Sequence, residues 1–583
     1  MSEDAGLFRK VLVANRGEIA LRVMRALREL GIPSVAVYGE GELEAPHVRY
    51  ADEAYHIPSE AALPYLDIPA LLAVAREAGA DAIHPGYGFL AENPAFAAAV
   101  AEAGMTFIGP SPAAIAAMGD KVAARRVAQQ AGVPLVPGTA EPVDLAGASA
   151  FAEEVGYPVA IKAAAGGGGR GFRVAWAPEE LEGAYTGASG EAERYFGDAR
   201  VYAERYLDHP RHVEIQVFAD RHGHAVSLGE RDCSVQRRHQ KLIEESPSPA
   251  IDDEIRRGMG KTAVALARAV GYEGAGTVEF LFQDGEFYFL EMNTRIQVEH
   301  PVTELVTGMD LVAEQIRVAA GLPLSFGAVH LQGHAIEVRI NAEDAARNFA
   351  PVPGTVTAYQ PPAGLGVRVD GAAEPGYQIL PQYDSLIAKL IVWGRDRAEA
   401  LARLSRALQD FEVAGVPTTI PFHRAVIASP AFASGDYDTR LLDKHPALLE
   451  LAPGAEAAAA PASNGRVPEE FLVEVGGKRF EVRLYASTEP VAARRAPRIE
   501  LGQRSHGPAA QGAVTSPIQG TVLRVAVEAG QMVAAGDLIC VVEAMKMENE
   551  IRSTVAGEVV RVDVQTGQTV QIGAPLVEIE PAG

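Results

Sequence analysis

Carboxylates, amides and cations recur at every second position between Glu291 and Glu299. Glu291, Asn293, Arg295, Gln297 and Glu299 alternate with Met292, Thr294, Ile296 and Val298. An extended backbone would place the five polar groups on one face. Just upstream, Thr-Val-Glu279-Phe-Leu-Phe reads as a strand, Gln283-Asp-Gly-Glu286 as a turn, and Phe-Tyr-Phe-Leu-Glu291 as the returning strand. A hairpin centred on Gly285 sets Glu279 opposite Glu291. Two facing carboxylates repel, at roughly 0.2–1 kcal/mol for a cross-strand pair, unless a cation lies between them. Glu279, Glu291 and Asn293 offer only oxygen donors, which suit a hard cation such as Mg²⁺ (or Mn²⁺). A straight strand from 291 to 299 would cover about 26 Å at roughly 3.3 Å per residue, more than one small anion needs. Two adjoining sites are therefore expected, a metal end at 291–293 and an anion end from Arg295 onward.

Two other stretches point to chemistry. Lys162-Ala-Ala-Ala-Gly166-Gly-Gly-Gly169-Arg-Gly171 follows an apolar strand. Consecutive glycines, Gly168 and Gly169 among them, let backbone N–H groups close on phosphate oxygens without Cβ obstruction. The spacing is not that of a P-loop. Glu543-Ala-Met-Lys546-Met547 places a lysine between two methionines at a predicted turn, where Gly, Asn or Asp is the usual choice. Lysine is scarce here, nine against 43 arginines. A compact, acylatable amine is what guanidinium cannot supply. Cys233 reads as a buried small hydrophobe rather than a nucleophile.

Several elements must position these groups. The first 110 residues alternate strand (Val11–Ala14, Ser34–Val37, Ala82–His84) and helix (Glu18–Leu30, Ala70–Ala78), an open α/β sheet. Asn15-Arg16-Gly17 replaces the glycine fingerprint of a dinucleotide fold. Residues 452–466 and 487–513 read as linkers, with a β-hairpin around Gly476-Gly477 between them. Beyond lies an internal repeat: Gly520–Gly530 aligns with Gly557–Gly567, and the match runs on to Glu543 and Glu580. Two such halves imply a small β-sandwich or barrel with a pseudo-two-fold axis, and Lys546 falls at the turn joining them.

The net charge of −24 disfavours nucleic acid and anionic membranes as partners. Two cysteines, the absence of an 18-residue apolar run, and a start without an apolar leader fit a cytoplasmic protein.

Glu291–His300 closely resembles the biotin carboxylase signature, as do Arg231–Lys241, His84–Asn93 and Glu337–Asp344. Residues 543–547 resemble the attachment sequence of biotin carrier domains, and the strand–Lys162–glycine loop resembles the phosphate-covering hairpin of the ATP-grasp fold. The chain thus resembles the α subunit of a bacterial acetyl- or propionyl-CoA carboxylase. The expected fold class is α/β multidomain: an N-terminal domain (1–118), an ATP-grasp domain (119–333), a C-terminal domain (334–448), a linker with a hairpin (449–512) and an all-β carrier (513–583).

The resemblance implies that ATP converts bicarbonate to carboxyphosphate, which yields CO₂ for biotin attached to Lys546. Glu299 would be the base, with Lys241, Arg295, Gln297 and the Val298 backbone holding bicarbonate. Arg339 would stabilise the biotin enolate. Lys121, Lys162, Gly168, Gly169, Glu204, Leu207, His212, Gln236 and His239 would bind ATP. Expected partners are a separate carboxyltransferase β subunit, a biotin protein ligase, and further copies of the chain within a hetero-oligomer. A purine-pathway ligase of the same fold would need no carrier domain.

Overall fold

The computed structural model describes residues 7–61, 63–139, 141–164, 171–237, 240–450, 466–475, 478–487, 513–516, 520–544, 547–570 and 573–581. The N-terminal segment builds a five-stranded parallel sheet in the spatial order Glu53–His56, Ser34–Tyr38, Val11–Val13, Ala82–His84, Thr106–Phe107. The three expected strands and two helices are present, the helices at Gly17–Glu29 and Ile68–Glu77. The strands Glu53–His56 and Thr106–Phe107 escape a periodicity reading because each is short and only partly apolar. Asn15, just after the first strand, donates to Pro85 O and Tyr87 O at 2.7 Å. It therefore ties that strand to the loop after Ala82–His84 rather than to a nucleotide.

An eight-stranded antiparallel sheet forms the centre. Its order is Glu286–Asn293, Gly274–Gln283, Arg211–Ala219, Ala225–Arg237, Gln240–Ser246, His334–Asn341, Leu386–Gly394, Val367–Gly371. The pairing of Gln240–Ser246 with His334–Asn341 makes one sheet of two sequence regions. Beneath it, Val338, Ile340, Leu390, Leu404 and Phe422 belong to one buried cluster. A separate three-stranded sheet, Phe172–Ala175, Val159–Ala163 and Val201–Arg205, carries Lys162.

The hairpin pairs Glu279 with Glu291 as expected, though by a different route. Asp284 and Gly285 form a two-residue turn with φ of +54° and +81°, the backbone that Asp-Gly favours in hairpins. Its register opposes Phe280 to Phe289, and a bulge at Leu290 then brings Glu291 opposite Glu279.

The expectation of an extended run to Glu299 is wrong. The strand ends at Asn293, residues 294–299 form a loop, and helix His300–Thr307 follows, with Glu299 at its N-cap position. The period-2 pattern arises from a turning segment whose apolar members, Ile296 above all, are buried separately.

Two four-stranded sheets make up the C-terminal unit. One has the order Met547–Arg552, Leu538–Ala544, Gly520–Val525, Thr569–Val570; the other Ala513–Thr515, Pro575–Pro581, Gly557–Val562, Met532–Val533. Shifting the central strands of the first sheet by the repeat length generates those of the second, and each half lends a short strand to the other's sheet. Val522, Ile539, Val542, Val559, Val577 and Ile579 fill the space between. Ala544 pairs with Met547; Met545 and Lys546 lie outside the described residues. The strands Arg466–Val475 and Lys478–Ser487 form the expected hairpin, with Gly476-Gly477 and the flanking linkers likewise outside.

Candidate active site

Four strands of the central sheet bring a row of charges into register: Arg231, Glu214, Glu279 and Glu291. Side chains directly opposite across strands share a face, so three carboxylates stand side by side. Protein cations offset their repulsion. Arg231 is fully buried and spends all five donors: on Glu214 (2.5 Å), Gln216 (2.6 Å), Thr303 (3.0 Å), Thr277 (3.1 Å) and Gln297 (2.7 Å). Lys241 Nζ reaches Glu214 at 2.5 Å, Glu279 at 2.8 Å and Glu299 at 2.7 Å. Burial opposes the ammonium charge, but the three carboxylates outweigh it and raise the Lys241 pKa well above the ordinary value.

That lysine joins the two adjoining ends. Glu279, expected at the metal end, and Glu299, expected at the anion end, share one ammonium. The turn after Asn293 folds the segment back on itself. Glu279 also accepts from Asn293 (2.9 Å) and Gln297 (2.7 Å), and faces His212 Nε2 at 2.8 Å. Its pKa lies well below the carboxylate range although burial pushes the other way, because Lys241 and His212 stabilise the anion.

Glu299 is likewise buried yet held ionised. Desolvation would raise its pKa, but Lys241, Arg339 and Arg231 together hold it well below the usual value. Arg339 Nη2 lies 2.9 Å from Glu299, and its Nε 2.7 Å from Glu244. Arg295, expected among the groups that hold bicarbonate, pairs with Glu92 at 2.7 Å, donates to Asn293 Oδ1 at 2.8 Å and also feels the charge of Glu299. Val298 offers its carbonyl to Lys389 at 2.9 Å. The Cys233 thiol is buried beside Glu214 and Glu299. Burial and the Glu214 charge push its pKa well up, so it stays protonated.

The residues expected to bind nucleotide divide among several places. Lys162 and Glu204 pair at 2.5 Å, and Glu204 also holds Arg125 at 2.6 Å. Leu207 packs with Val136 and Tyr288. Gln236 sits opposite Lys241, and His212 belongs to the carboxylate row. Lys121 opens helix Lys121–Gln130, capped by Asp120. Gly168, Gly169 and His239 lie outside the described residues.

Sequence reasoning missed Glu92, Glu214, Arg231, Glu244 and Lys389. Glu92 and Arg231 lie in stretches singled out above for other members, and Glu214 lies two positions beyond His212. Period-2 polarity at His212, Glu214 and Gln216, within a strand buried along its whole length, was a usable signal.

A ladder of buried carboxylates, bridged by Lys241 and flanked by a three-stranded sheet that carries Lys162, defines an ATP-grasp ligase. Family models match residues 7–115 (biotin carboxylase, N-terminal domain), 120–326 (carbamoyl-phosphate synthase L chain, ATP binding domain), 337–444 (biotin carboxylase C-terminal domain) and 512–579 (biotin-requiring enzyme). The chain is 50% identical to the biotin-dependent acyl-coenzyme A carboxylase alpha3 subunit of Mycobacterium leprae, over 93% of its own length and 94% of the relative's. Biotin carboxylase 1 of Bacillus subtilis is 55% identical over 75% of this chain and 99% of its own. The biotin carboxylase domain of Hydrogenobacter thermophilus 2-oxoglutarate carboxylase, in complex with MgADP, ADP and bicarbonate, superposes with a TM-score of 0.71 at 49% identity, covering 76% of this chain and 99% of that one. The chain belongs to the biotin carboxylase family: it is an ATP-dependent biotin carboxylase joined to a biotin carrier domain.

Proposed function

We propose that this chain uses ATP and bicarbonate to carboxylate biotin carried on its own Lys546, and that a separate carboxyltransferase β subunit passes the carboxyl group to acetyl-CoA or propionyl-CoA. The observation that carries the site assignment is the position of Glu299 between Lys241 and Arg339. Glu299 takes the proton from bicarbonate while Lys241, Arg295, Gln297 and the Val298 backbone hold the anion. Bicarbonate oxygen attacks the γ-phosphorus and ADP leaves. Carboxyphosphate then gives CO₂ and phosphate, and the phosphate accepts the ureido N–H proton. Arg339 stabilises the negative charge that develops on the ureido oxygen, an oxyanion-hole role. Biotin, when attached, supplies the nucleophilic nitrogen.

Glu279, Glu291 and Asn293 fit Mg²⁺ or Mn²⁺: Glu279 stays ionised and stands opposite Glu291, and hard oxygen donors suit such ions. The MgADP of the Hydrogenobacter structure supports magnesium. Lys121, Lys162, Gly168, Gly169, Glu204, Leu207, His212, Gln236 and His239 form the ATP site in this reading.

The name of the Mycobacterium relative supports an acyl-CoA acceptor. Assembly with further copies of the chain, modification by a biotin protein ligase and a cytoplasmic location complete the proposal. No described helix is long and apolar enough to cross a membrane. The test is ATP cleavage that requires both bicarbonate and free biotin, followed by acyl-CoA assays with an added β subunit. Cleavage indifferent to biotin refutes the reading of the site; carboxylation of pyruvate instead of acyl-CoA refutes that of the acceptor.

A further inference from the structure

Behind Arg339 lies a second pair of carboxylates that the mechanism does not use. Glu244 and Glu337 are directly opposed across the antiparallel strands Gln240–Ser246 and His334–Asn341, and both are fully buried. Helix His300–Thr307 lies over these strands, and its Val302 and Val306 pack with Ala335 and Ile391. Glu244 Oε1 receives Arg339. Its Oε2, and both oxygens of Glu337, have no hydrogen-bond partner. Two ionised carboxylates at this spacing, on one face and without donors for three of their four oxygens, would be an unpaid cost in a dry interior. One proton between them supplies the missing donor.

We propose that Glu244 and Glu337 share a single proton, and that Glu337 is a positioning residue whose neutrality limits the charge behind Arg339 to one. The surrounding charges agree. Glu244 faces Arg339, Glu299 and Lys241, and burial pushes it up to about 7. Glu337 faces Lys389, Glu244, Arg339 and Glu299, and burial raises its pKa well above the ordinary value. Lys389 is divided among Val298 O (2.9 Å), Glu18 (3.3 Å) and Asp370 (4.0 Å), so it does not hold Glu337 as an ion pair. From the covering helix, His300 is kept neutral by burial and by the cations Lys389, Arg22 and Arg368, while Glu304 is held by Arg22 and Arg368. With one charge at the pair, Arg339 divides its donors between Glu244 and Glu299. A second charge would draw the guanidinium away from Glu299 and from the biotin site.

The inference rests on the role proposed for Arg339, but its first test needs no catalysis. Infrared spectra of the whole chain at neutral pH should contain a protonated-carboxyl band that is lost in Glu337→Gln. In Glu244→Gln burial still keeps Glu337 neutral, so the band should remain but move in frequency, because the carboxylate that shares its proton is gone. A band unchanged in frequency in Glu244→Gln means a lone buried acid and overturns the sharing. If either variant fails to fold, titrating the wild type from neutral to alkaline pH must still bleach such a band; its absence overturns the proposal. The catalytic readout is the pH profile of free-biotin carboxylation. Because Glu337 is neutral below its raised pKa, the wild-type rate should fall as pH rises through that value, and Glu337→Gln should shift the fall to higher pH. An unmoved alkaline limb overturns the positioning role, with the infrared result standing apart.

Discussion

Arg339→Met keeps the aliphatic stem and removes the guanidinium, which separates two jobs of one side chain. Arg339 donates to Glu244 from Nε at 2.7 Å and touches Glu299 at 2.9 Å. Truncating one partner of a buried ion pair costs about 3–5 kcal/mol when the other must stay charged. Glu244 is an exception, since burial already raises it to about 7, so near neutral pH it takes up a proton at little cost. The variant should therefore fold. Glu299 keeps Lys241 at 2.7 Å and the field of Arg231, so bicarbonate still meets an ionised base. The loss falls on the ureido oxygen: removing one oxyanion donor costs roughly 10²–10³ in rate, about 2.7–4 kcal/mol. The assay compares carboxylation of free biotin with the affinity for ATP in the same preparation. A fall of that size with unchanged nucleotide affinity is expected. Carboxylation at the wild-type rate, or an equal loss in nucleotide affinity, would refute the reasoning.

Other substitutions separate the remaining contacts. Lys241→Gln leaves Glu214, Glu279 and Glu299 without their common cation; a destabilisation of about 3–5 kcal/mol should appear in thermal melts beside loss of bicarbonate-dependent ATP cleavage. Glu92→Gln frees Arg295 from its ion pair and should raise the KM for bicarbonate about tenfold, the size of a charge-assisted hydrogen bond of roughly 1.5 kcal/mol, with nucleotide KM little changed. Glu245 is lowered to about 2: burial works against its charge, but hydrogen bonds from His334 (2.6 Å) and Arg397 (2.7 Å) prevail. Its contribution, at most about 3 kcal/mol, is present above the unfolded carboxylate value and lost as pH falls towards 2. Thermal midpoints of Glu245→Gln and wild type should thus differ at neutral pH and converge in acid.

Groups whose neighbours lie close in sequence were legible; groups that meet through the sheet were not. The hairpin partner of Glu279 could be read because both strands and their turn are contiguous, and an unseen bulge at Leu290 corrected the register in its favour. The repeat gave the carrier's two-fold arrangement because each half is a complete set of strands. Glu299 looked like a strand residue because alternation does not distinguish a strand from a loop whose apolar members dip separately into the core. Arg295 stood out by its spacing and its resemblance, but its ion-pair partner Glu92, far off in the chain, could not be read from either. Glu244 and Lys389 carried no local signal, since strand pairings beyond residue 334 bring them to the site. Sequence spacing names candidates; the sheet register decides which of them touch.

In the proposed function the ATP site charges biotin on the same kind of chain that bears it. The direct measurement incubates the biotinylated full chain with ATP, Mg²⁺ and isotope-labelled bicarbonate, and follows the label on Lys546. Label should appear on biotin, require ATP and be absent from Lys546→Arg. Hydrolysis of ATP with no label on the wild-type chain would contradict the proposed function.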